Sequence, residues 1–287
     1  MEKITIKTYG KVNLYLEVIR KREDGYHELQ MVMQSIGLYD KVSVKEKEKD
    51  EIILDTNSPY IPKDEGNLAF QAAKLIKEEY RIDKGVEIDI IKNIPVAAGL
   101  AGGSANAAGV LRGLNELWSL NLSGEKLQEL GLRLGADVPF SVMEGAAVAE
   151  GIGEKLTPIE GLKNTWLVLC KPGISVSTPE VYKALDLSAL ERRPLSREFL
   201  SAIEKRDLRS VSKNMYNALE TVTVKKHGVI LDIKKKMMQY NAIGTMMSGS
   251  GPTVFGIFKD QERAKKAAQN LRKYHNQTYV VNTYNKA

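Results

Sequence analysis

Two periodicities run along the chain. Ile4 and Ile6, then Val12, Leu14, Leu16 and Val18, alternate with polar residues such as Asn13 and Glu17, the period of a strand. They predict two strands within residues 2–19, with Lys11, Asn13 and Tyr15 on the face opposite the core residues. Lys41–Lys45, Glu51–Leu54 and the series Val86, Ile88, Ile90 read as further strands. Helical stripes follow a different spacing. Leu68, Ala72, Leu75 and Ile76 share one side behind a capping Asn67. Ala107, Val110, Leu111, Leu114, Leu117 and Trp118 form a second stripe, and Leu127, Leu130 and Leu134 a third, between Ser123 and Gly135. Pro139 pushes Val138 away from helical angles, so Asp137 is expected in a tight turn at the start of a new element.

The second half alternates strands and helices. Trp166–Cys170, Ile174–Ser177, Ile243–Met247, Val254–Phe258 and Thr278–Val281 read as strands. Thr178 is expected to cap a helix that carries Pro179 and Glu180 in its first turn. Further helices are expected over Ser196–Lys205, Leu208–Glu220, Lys226–Tyr240 and Gln261–Lys273. Gly145–Gly153 is rich in Gly and Ala and precedes the loop Thr157–Asn164, which places a domain boundary there: residues 1–158, then 159–287.

Composition narrows the class. With 43% hydrophobic and 27% charged residues the chain is globular and not disordered. The net charge of +6 is spread among acids, as in Lys45–Lys49, with no continuous basic stripe for nucleic acid. Cys170 is the only cysteine, which excludes an internal disulfide and a cysteine-based zinc site; its apolar surroundings suit a structural thiol. No signal-like segment or run of about 20 apolar residues appears, so the protein is expected in the cytoplasm and off the membrane.

Candidate chemistry begins at Pro95–Gly109, where the last of the early strands enters a small-residue loop and a helix leaves it. Gly99, Gly102 and Gly103 let backbone N–H groups approach an anion, and the helix N-terminus adds unpaired donors. A Walker A loop requires a lysine after its glycines, whereas Gly102-Gly103 leads to Ser104. The dinucleotide fingerprint requires Gly-x-Gly, and the loop has none.

Three separated segments narrow the reading. Pro95–Ala105 (PVAAGLAGGSA) resembles the ATP-binding motif of the GHMP kinases. Ser248–Phe255 (SGSGPTVF) is similar to their C-terminal glycine motif, and Gly10-Lys-Val-Asn-Leu14 to their first motif. Lys11-Val-Asn13, Asp24-Gly-Tyr-His27, Leu134–Phe140 and Gly151-Ile-Gly-Glu154 further resemble one branch of the superfamily. That branch uses ATP to phosphorylate the 2-hydroxyl of a cytidine diphosphate-linked methylerythritol in isoprenoid synthesis. The resemblance implies an α+β fold of two domains, a ribosomal protein S5 domain 2-like N-terminal domain and a ferredoxin-like C-terminal one. Ala97, Ala98, Ala101 and Ala105 stand where all-glycine loops are familiar, so these positions are expected to have ordinary backbone angles.

The same resemblance implies roles. Asp137 would be the catalytic base and Lys11 the second catalytic residue, holding Asp137 ionised and polarising the hydroxyl. Pro95, Val96, Ala97, Ala98, Gly99, Leu100, Ala101, Gly102, Gly103, Ser104 and Ala105 would hold ATP, with Asn67 and Lys92 toward the adenine. Tyr26 would stack on the pyrimidine with His27 on its edge and Tyr182 as the second aromatic; Asn13 and Thr178 would add substrate contacts. Mg2+ would ride largely on the phosphates, since no protein-built metal site is evident. The expected partners are ATP and the small-molecule acceptor, in a monomer or weak homodimer. Two alternatives remain open at this point: a GHMP kinase for homoserine, mevalonate or a sugar, and a non-catalytic RNA-binding module.

Overall fold

The computed structural model describes residues 3–191 and 193–286. The chain begins β1 (Lys3–Lys21), β2 (His27–Lys47), β3 (Ile52–Thr56), α1 (Leu68–Tyr80), β4 (Gly85–Ile91) and α2 (Gly102–Leu117). It continues with α3 (Gly124–Leu132), α4 (Val138–Met143), β5 (Ala146–Gly151), β6 (Lys155–Pro158), β7 (Trp166–Lys171) and α5 (Thr178–Lys183). Next come α6 (Arg197–Glu204), α7 (Leu208–Asn214), β8 (Tyr216–Asn217), α8 (Glu220–Lys226) and α9 (Val229–Gln239). The last elements are β9 (Gly244–Met247), β10 (Val254–Phe258), α10 (Gln261–Leu271) and β11 (Gln277–Asn282).

The residues gather into two compact units. The first holds the chain up to Gly10, Leu38–Val96 and Ala101–Glu144; the second holds Lys11–Gly37, Ala97–Leu100 and Gly145 onward. Each of the long strands β1 and β2 therefore passes from one unit into the other.

In the first unit, β4 runs antiparallel to the C-terminal half of β2, from Lys41↔Ile91 to Lys47↔Gly85, and β3 runs parallel to β4. Val42, Val44, Val86, Ile88 and Ile90 turn to one face and are fully buried, together with Ala72, Ala73 and Ile76 of α1 and Val110, Leu111 and Leu114 of α2. Each of the Val, Leu and Ile side chains contributes roughly 1.5–3 kcal/mol by leaving water. Gly109 brings α2 down onto the sheet, since a Cβ there would lie 2.3 Å from Thr8 Cγ2.

In the second unit, β11, β7, β10 and β9 form, in that order, an antiparallel sheet. Numbered along the chain, β7, α9, β9, β10, α10 and β11 make the βαββαβ arrangement of a ferredoxin-like domain. Ile230, Ile233 and Met237 of α9 and Ala264, Ala268 and Leu271 of α10 pack with Val168, Val254 and Phe258. Cys170 is buried in this core, accepts a hydrogen bond from Thr278 Oγ1 at 3.4 Å, and burial pushes its thiol up to about 11. The first half of β2 pairs antiparallel with β5, which pairs with β6, and β1 pairs parallel with β8.

Several elements differ from the sequence-based expectation. The two strands expected within residues 2–19 are one, Lys3–Lys21, because the alternation of Ile4, Ile6, Val12 and Leu14 keeps its phase across Thr8 and Gly10; residue 2 lies outside the described residues. Ile174–Ser177 is not a strand; Pro172-Gly173 ends β7 and the segment joins no sheet. The helix expected over Leu208–Glu220 stops at Asn214, and Tyr216 and Asn217 turn extended to pair with Tyr15 and Leu16. Thr178 is the first helical residue and not the cap; Ser177 precedes it and makes no side-chain cap bond. Val138 opens α4 in spite of Pro139, as the proline sits in the first turn, where its missing N–H removes no helical bond.

Candidate active site

The glycine loop starts just after β4 and ends in α2. Ala101, before the first turn of α2, has φ 56° and makes no side-chain cap bond, so no side chain of that residue takes up the first N–H donors. Ala97 (φ 49°), Gly99 (φ 74°) and Ala101 (φ 56°) are all left-handed, every second residue through the turn. The expectation of ordinary angles at the alanine positions is thus wrong for Ala97 and Ala101, while Ala98 and Ala105 do not have positive φ. Tertiary contacts impose the conformation. Ala98 and Leu100 are buried, the Lys11 N–H donates to Leu100 O at 3.1 Å, and Ser248 Oγ donates to Gly99 O at 2.9 Å.

A left-handed alanine carries roughly 1–2 kcal/mol of steric cost, against a smaller unfolded-state entropy penalty for glycine. Ala97→Gly and Ala101→Gly are therefore expected to raise stability by up to about 1 kcal/mol each, and Ala98→Gly to lower it. Urea unfolding of the three variants checks this; a loss at Ala97 and Ala101 equal to that at Ala98 would rule the strain out.

Gly99 is where two glycine loops meet. A Cβ on it would lie 2.2 Å from Ser248 O and 3.0 Å from Gly251 O. The second loop, Ser248–Thr253, joins β9 to β10 and is held from several sides. Asn217 Nδ2 donates to Met247 O and Gly249 O, both at 2.8 Å, and Thr223 Oγ1 donates to Ser250 O at 3.2 Å. Thr178 Oγ1 and Ser250 Oγ are 2.7 Å apart, which ties the start of α5 to the same loop.

Strand β1 presents its polar residues to this cluster. Lys11 Nζ donates to Asn13 Oδ1 at 2.8 Å, and that oxygen lies 3.5 Å from where a Cβ on Gly249 would be. Lys11 is 6% exposed and Asn13 fully buried, so this is a sheltered lysine, not a solvated one. Within the second unit, then, Lys11, Asn13, Ala97–Leu100, Ser248–Thr253 and Thr178 converge. His27 and Tyr182 also come together there, with ring centroids 5.0 Å apart in a stack, while Tyr26 is 61% exposed. Burial, with Lys21 nearby, lowers the pKa of His27, which favours the neutral ring with one donor and one acceptor nitrogen.

The remaining expected residues lie in the first unit. Asp137 immediately precedes α4; its carbonyl accepts from Ser141, but its carboxylate does not cap the helix. Ser104 is partly exposed in the first turn of α2, and Gly103 beside it is exposed. Asn67 caps α1, accepting from Ala69 N–H at 2.9 Å and donating to Pro62 O at 2.8 Å. The Lys92 side chain is 6% exposed and paired with Asp40 and Asn106. Pro95 and Val96 lead into the loop from this unit.

Sequence reasoning passed over Asp40, Asn106 and Asn217. Asp40 carried a signal: it shares the phase of Val42 and Val44, so an acid stood at an inward position. Asn217 carried none, since helical spacing continued through it. Among the described residues no group of three or more His, Cys, Asp or Glu side chains is placed to hold a metal, and no helix is long and apolar enough to cross a membrane.

Comparison with known proteins follows the same lines. The GHMP kinases N terminal domain matches residues 67–145 and the GHMP kinases C terminal domain residues 199–277. The chain is 56% identical over 286 residues to the 4-diphosphocytidyl-2-C-methyl-D-erythritol kinase of Alkaliphilus oremlandii (strain OhILAs), spanning 99% of this chain and 98% of the relative. It is 52% identical to the protein of that name from Clostridioides difficile (strain 630), over 100% of this chain and 97% of the other. A crystal structure of 4-(cytidine 5'-diphospho)-2C-methyl-D-erythritol kinase superposes with a TM-score of 0.85 at 32% identity, covering 99% of this chain and 100% of that one. The L. major mevalonate kinase in complex with R-mevalonate shares the fold, with a TM-score of 0.78 at 18% identity over 99% of this chain and 98% of that one.

Proposed function

The chain belongs to the GHMP kinases, among the 4-diphosphocytidyl-2-C-methyl-D-erythritol kinases, and we propose from that premise how its residues divide the reaction. The enzyme transfers the γ-phosphoryl group of ATP to the 2-hydroxyl of 4-diphosphocytidyl-2-C-methyl-D-erythritol, giving the 2-phosphate and ADP for isoprenoid synthesis. The observation that carries the assignment of roles is the meeting of Gly99 with the Ser248–Thr253 loop beside Lys11 and Asn13.

Phosphoryl transfer asks a protein for positioning, charge neutralisation and a late proton acceptor. The N–H groups of Ala97–Gly103 and the first turn of α2 take the phosphates, with Ser104 as the hydroxyl donor there. Ser104 would offer Mg2+ an oxygen beside the phosphates, which would hold most of the ion, and the ion would supply neutralisation of the phosphate charge. Asp137 accepts the hydroxyl proton as the loose transition state forms, since a tertiary alcohol is too weak an acid to lose it beforehand. Lys11, held by Asn13, polarises the attacking oxygen. Domain by domain, residues 1–158 carry the ATP site and residues 159–287 complete the acceptor site.

For the acceptor, Tyr26 and Tyr182 supply aromatic faces to the cytosine, and neutral His27, stacked on Tyr182, reads its edge. Tyr182→Ala is expected to raise the KM for the acceptor about tenfold, the size of a lost base-stacking contact, with the KM for ATP within twofold. Steady-state kinetics with each substrate varied separately checks it; an unchanged acceptor KM removes Tyr182 from the site. The reaction itself is tested by locating the phosphate of the product by phosphorus NMR. Turnover of mevalonate, homoserine or a sugar in place of the cytidine substrate would overturn the acceptor.

A further inference from the structure

Asp40 sits in β2 with its side chain fully buried, and nothing in the reaction as described uses it. Its Oδ1 accepts from the backbone N–H groups of Asn93 at 2.6 Å and Ile94 at 2.8 Å. Its Oδ2 accepts from Lys92 Nζ and from Asn106 Nδ2, the latter at 2.8 Å. Asn93 and Ile94 end directly before Pro95, and Asn106 begins directly after Ala105. One carboxylate therefore holds both ends of the Pro95–Ala105 loop. Lys92 Nζ also donates to Asn106 Oδ1 at 3.0 Å, and Thr8 Oγ1 accepts from Asn106 Nδ2 at 3.3 Å. Asn106 and Thr8 are both 2% exposed, so water does not compete for these bonds. The same Lys92 Nζ lies 3.1 Å from where a Cβ on Gly102 would be, directly beneath the first turn of α2.

We infer that Asp40 is the positioning residue of the ATP loop, fixing its strand end and its helix end at a set separation. The inference rests on the reading that Pro95–Ala105 holds the ATP phosphates. The chemistry of the clamp demands a carboxylate. All four partners are donors, and only an ionised acid accepts from four at once; an amide would turn its NH2 toward one of them. The geometry also suits the loop's backbone. Ala97 and Ala101 hold left-handed angles only while their surroundings impose them, and a loop whose ends drift apart is free to relax them. Phosphate-binding N–H groups lose their aim with displacements of about an ångström.

A buried ion pair also serves stability, and the test separates the two roles. Asp40→Asn leaves Lys92 buried without its countercharge, and is expected to lower the thermal midpoint and raise the KM for ATP about tenfold or more, with the acceptor KM within twofold. Adding Lys92→Met removes the stranded charge, and Lys92→Met alone, measured beside it, gives the share of the ATP KM that belongs to the lysine itself. The double variant is expected to regain most of the thermal midpoint while its ATP KM stays high. Return of the ATP KM together with the midpoint would reduce Asp40 to a stabilising ion pair and overturn the inference. Should Asp40→Asn not fold, Asn106→Ala removes the helix arm of the clamp, together with the bonds of Asn106 to Lys92 and Thr8, and leaves the strand arm; it is expected to raise the ATP KM several-fold, and an unchanged ATP KM there also overturns the inference. Gly103→Asp, in the loop itself, keeps the two failures apart. If it raises the ATP KM and the clamp variants do not, the clamp alone is wrong; if it leaves the ATP KM unchanged, the loop does not hold ATP and both readings fall.

Discussion

Asp137→Asn should leave an enzyme that binds ATP with its usual KM and turns over roughly a hundred to ten thousand times more slowly, a rise of about 3–5 kcal/mol in the barrier. Asparagine copies the shape of aspartate but accepts no proton at neutral pH, so the alcohol must lose its proton to water at the moment of transfer. The carboxylate of Asp137 does not cap α4, and the bonds from Ser141 reach the backbone carbonyl, which asparagine keeps. A fall in kcat with an unaltered thermal midpoint and ATP KM is the expected pattern, read by a coupled ADP assay and by thermal unfolding. A kcat within a few-fold of the parent enzyme would remove Asp137 from the proton transfer, and a parallel loss of kcat and midpoint would assign it to the fold.

Gly103→Asp should show the reverse separation, a sound fold without ATP binding. Gly103 is exposed in the first turn of α2, and a Cβ on it would meet only Leu68 Cδ1, at 3.8 Å. An acid at a helix N-terminus interacts favourably with the free N–H groups, by about 0.3–1 kcal/mol. The side chain thus fits, and the thermal midpoint is expected to hold or rise. The same carboxylate would stand where the phosphates are to bind. At about 5 Å and an effective dielectric constant near 20, each like-charge pair costs about 3 kcal/mol, enough to raise the ATP KM about a hundredfold or more. Isothermal titration with ATP and a urea melt give the two readouts. Normal ATP affinity in a stable Gly103→Asp enzyme would move the phosphates away from α2.

Much of the fold was legible because burial writes its period into the chain. Val86, Ile88 and Ile90 alternate because one face of β4 is covered, and Leu75, Ile76, Val110 and Leu114 recur at helical spacing because one stripe of α1 and α2 is covered. Where local spacing and tertiary pairing disagreed, the pairing won. Tyr216 and Asn217 continue a helical pattern, yet they extend to pair with Tyr15 and Leu16, and Asn217 then holds Gly249. The ferredoxin-like order β11, β7, β10, β9 has no local signature at all, since its neighbours are far apart in sequence.

The candidate site divides in the same way. Lys11, Asn13, Gly99 and Asp137 were candidates because each stands in a short motif that resembles the family's, and Thr178 and Tyr182 because of where they fall in that resemblance. Asp40 and Asn106 stand in none; the phase Asp40 shares with Val42 and Val44 turns it inward, but only the structure shows the four donors around it.

By itself, then, the sequence determined the small-residue loop between a strand and a helix, the lack of a Walker lysine, the second glycine loop and the kinase resemblance, all properties of contiguous residues. Only the tertiary structure decided that Ala97 and Ala101 adopt left-handed angles, that Gly99 must lack a Cβ because Ser248 O is 2.2 Å from its place, and that one buried carboxylate ties both ends of the loop. The reason is physical. A backbone angle against its local preference, a forbidden Cβ and a four-fold acceptor are each imposed by atoms from distant parts of the chain, and no local pattern of hydrophobic and polar residues records them.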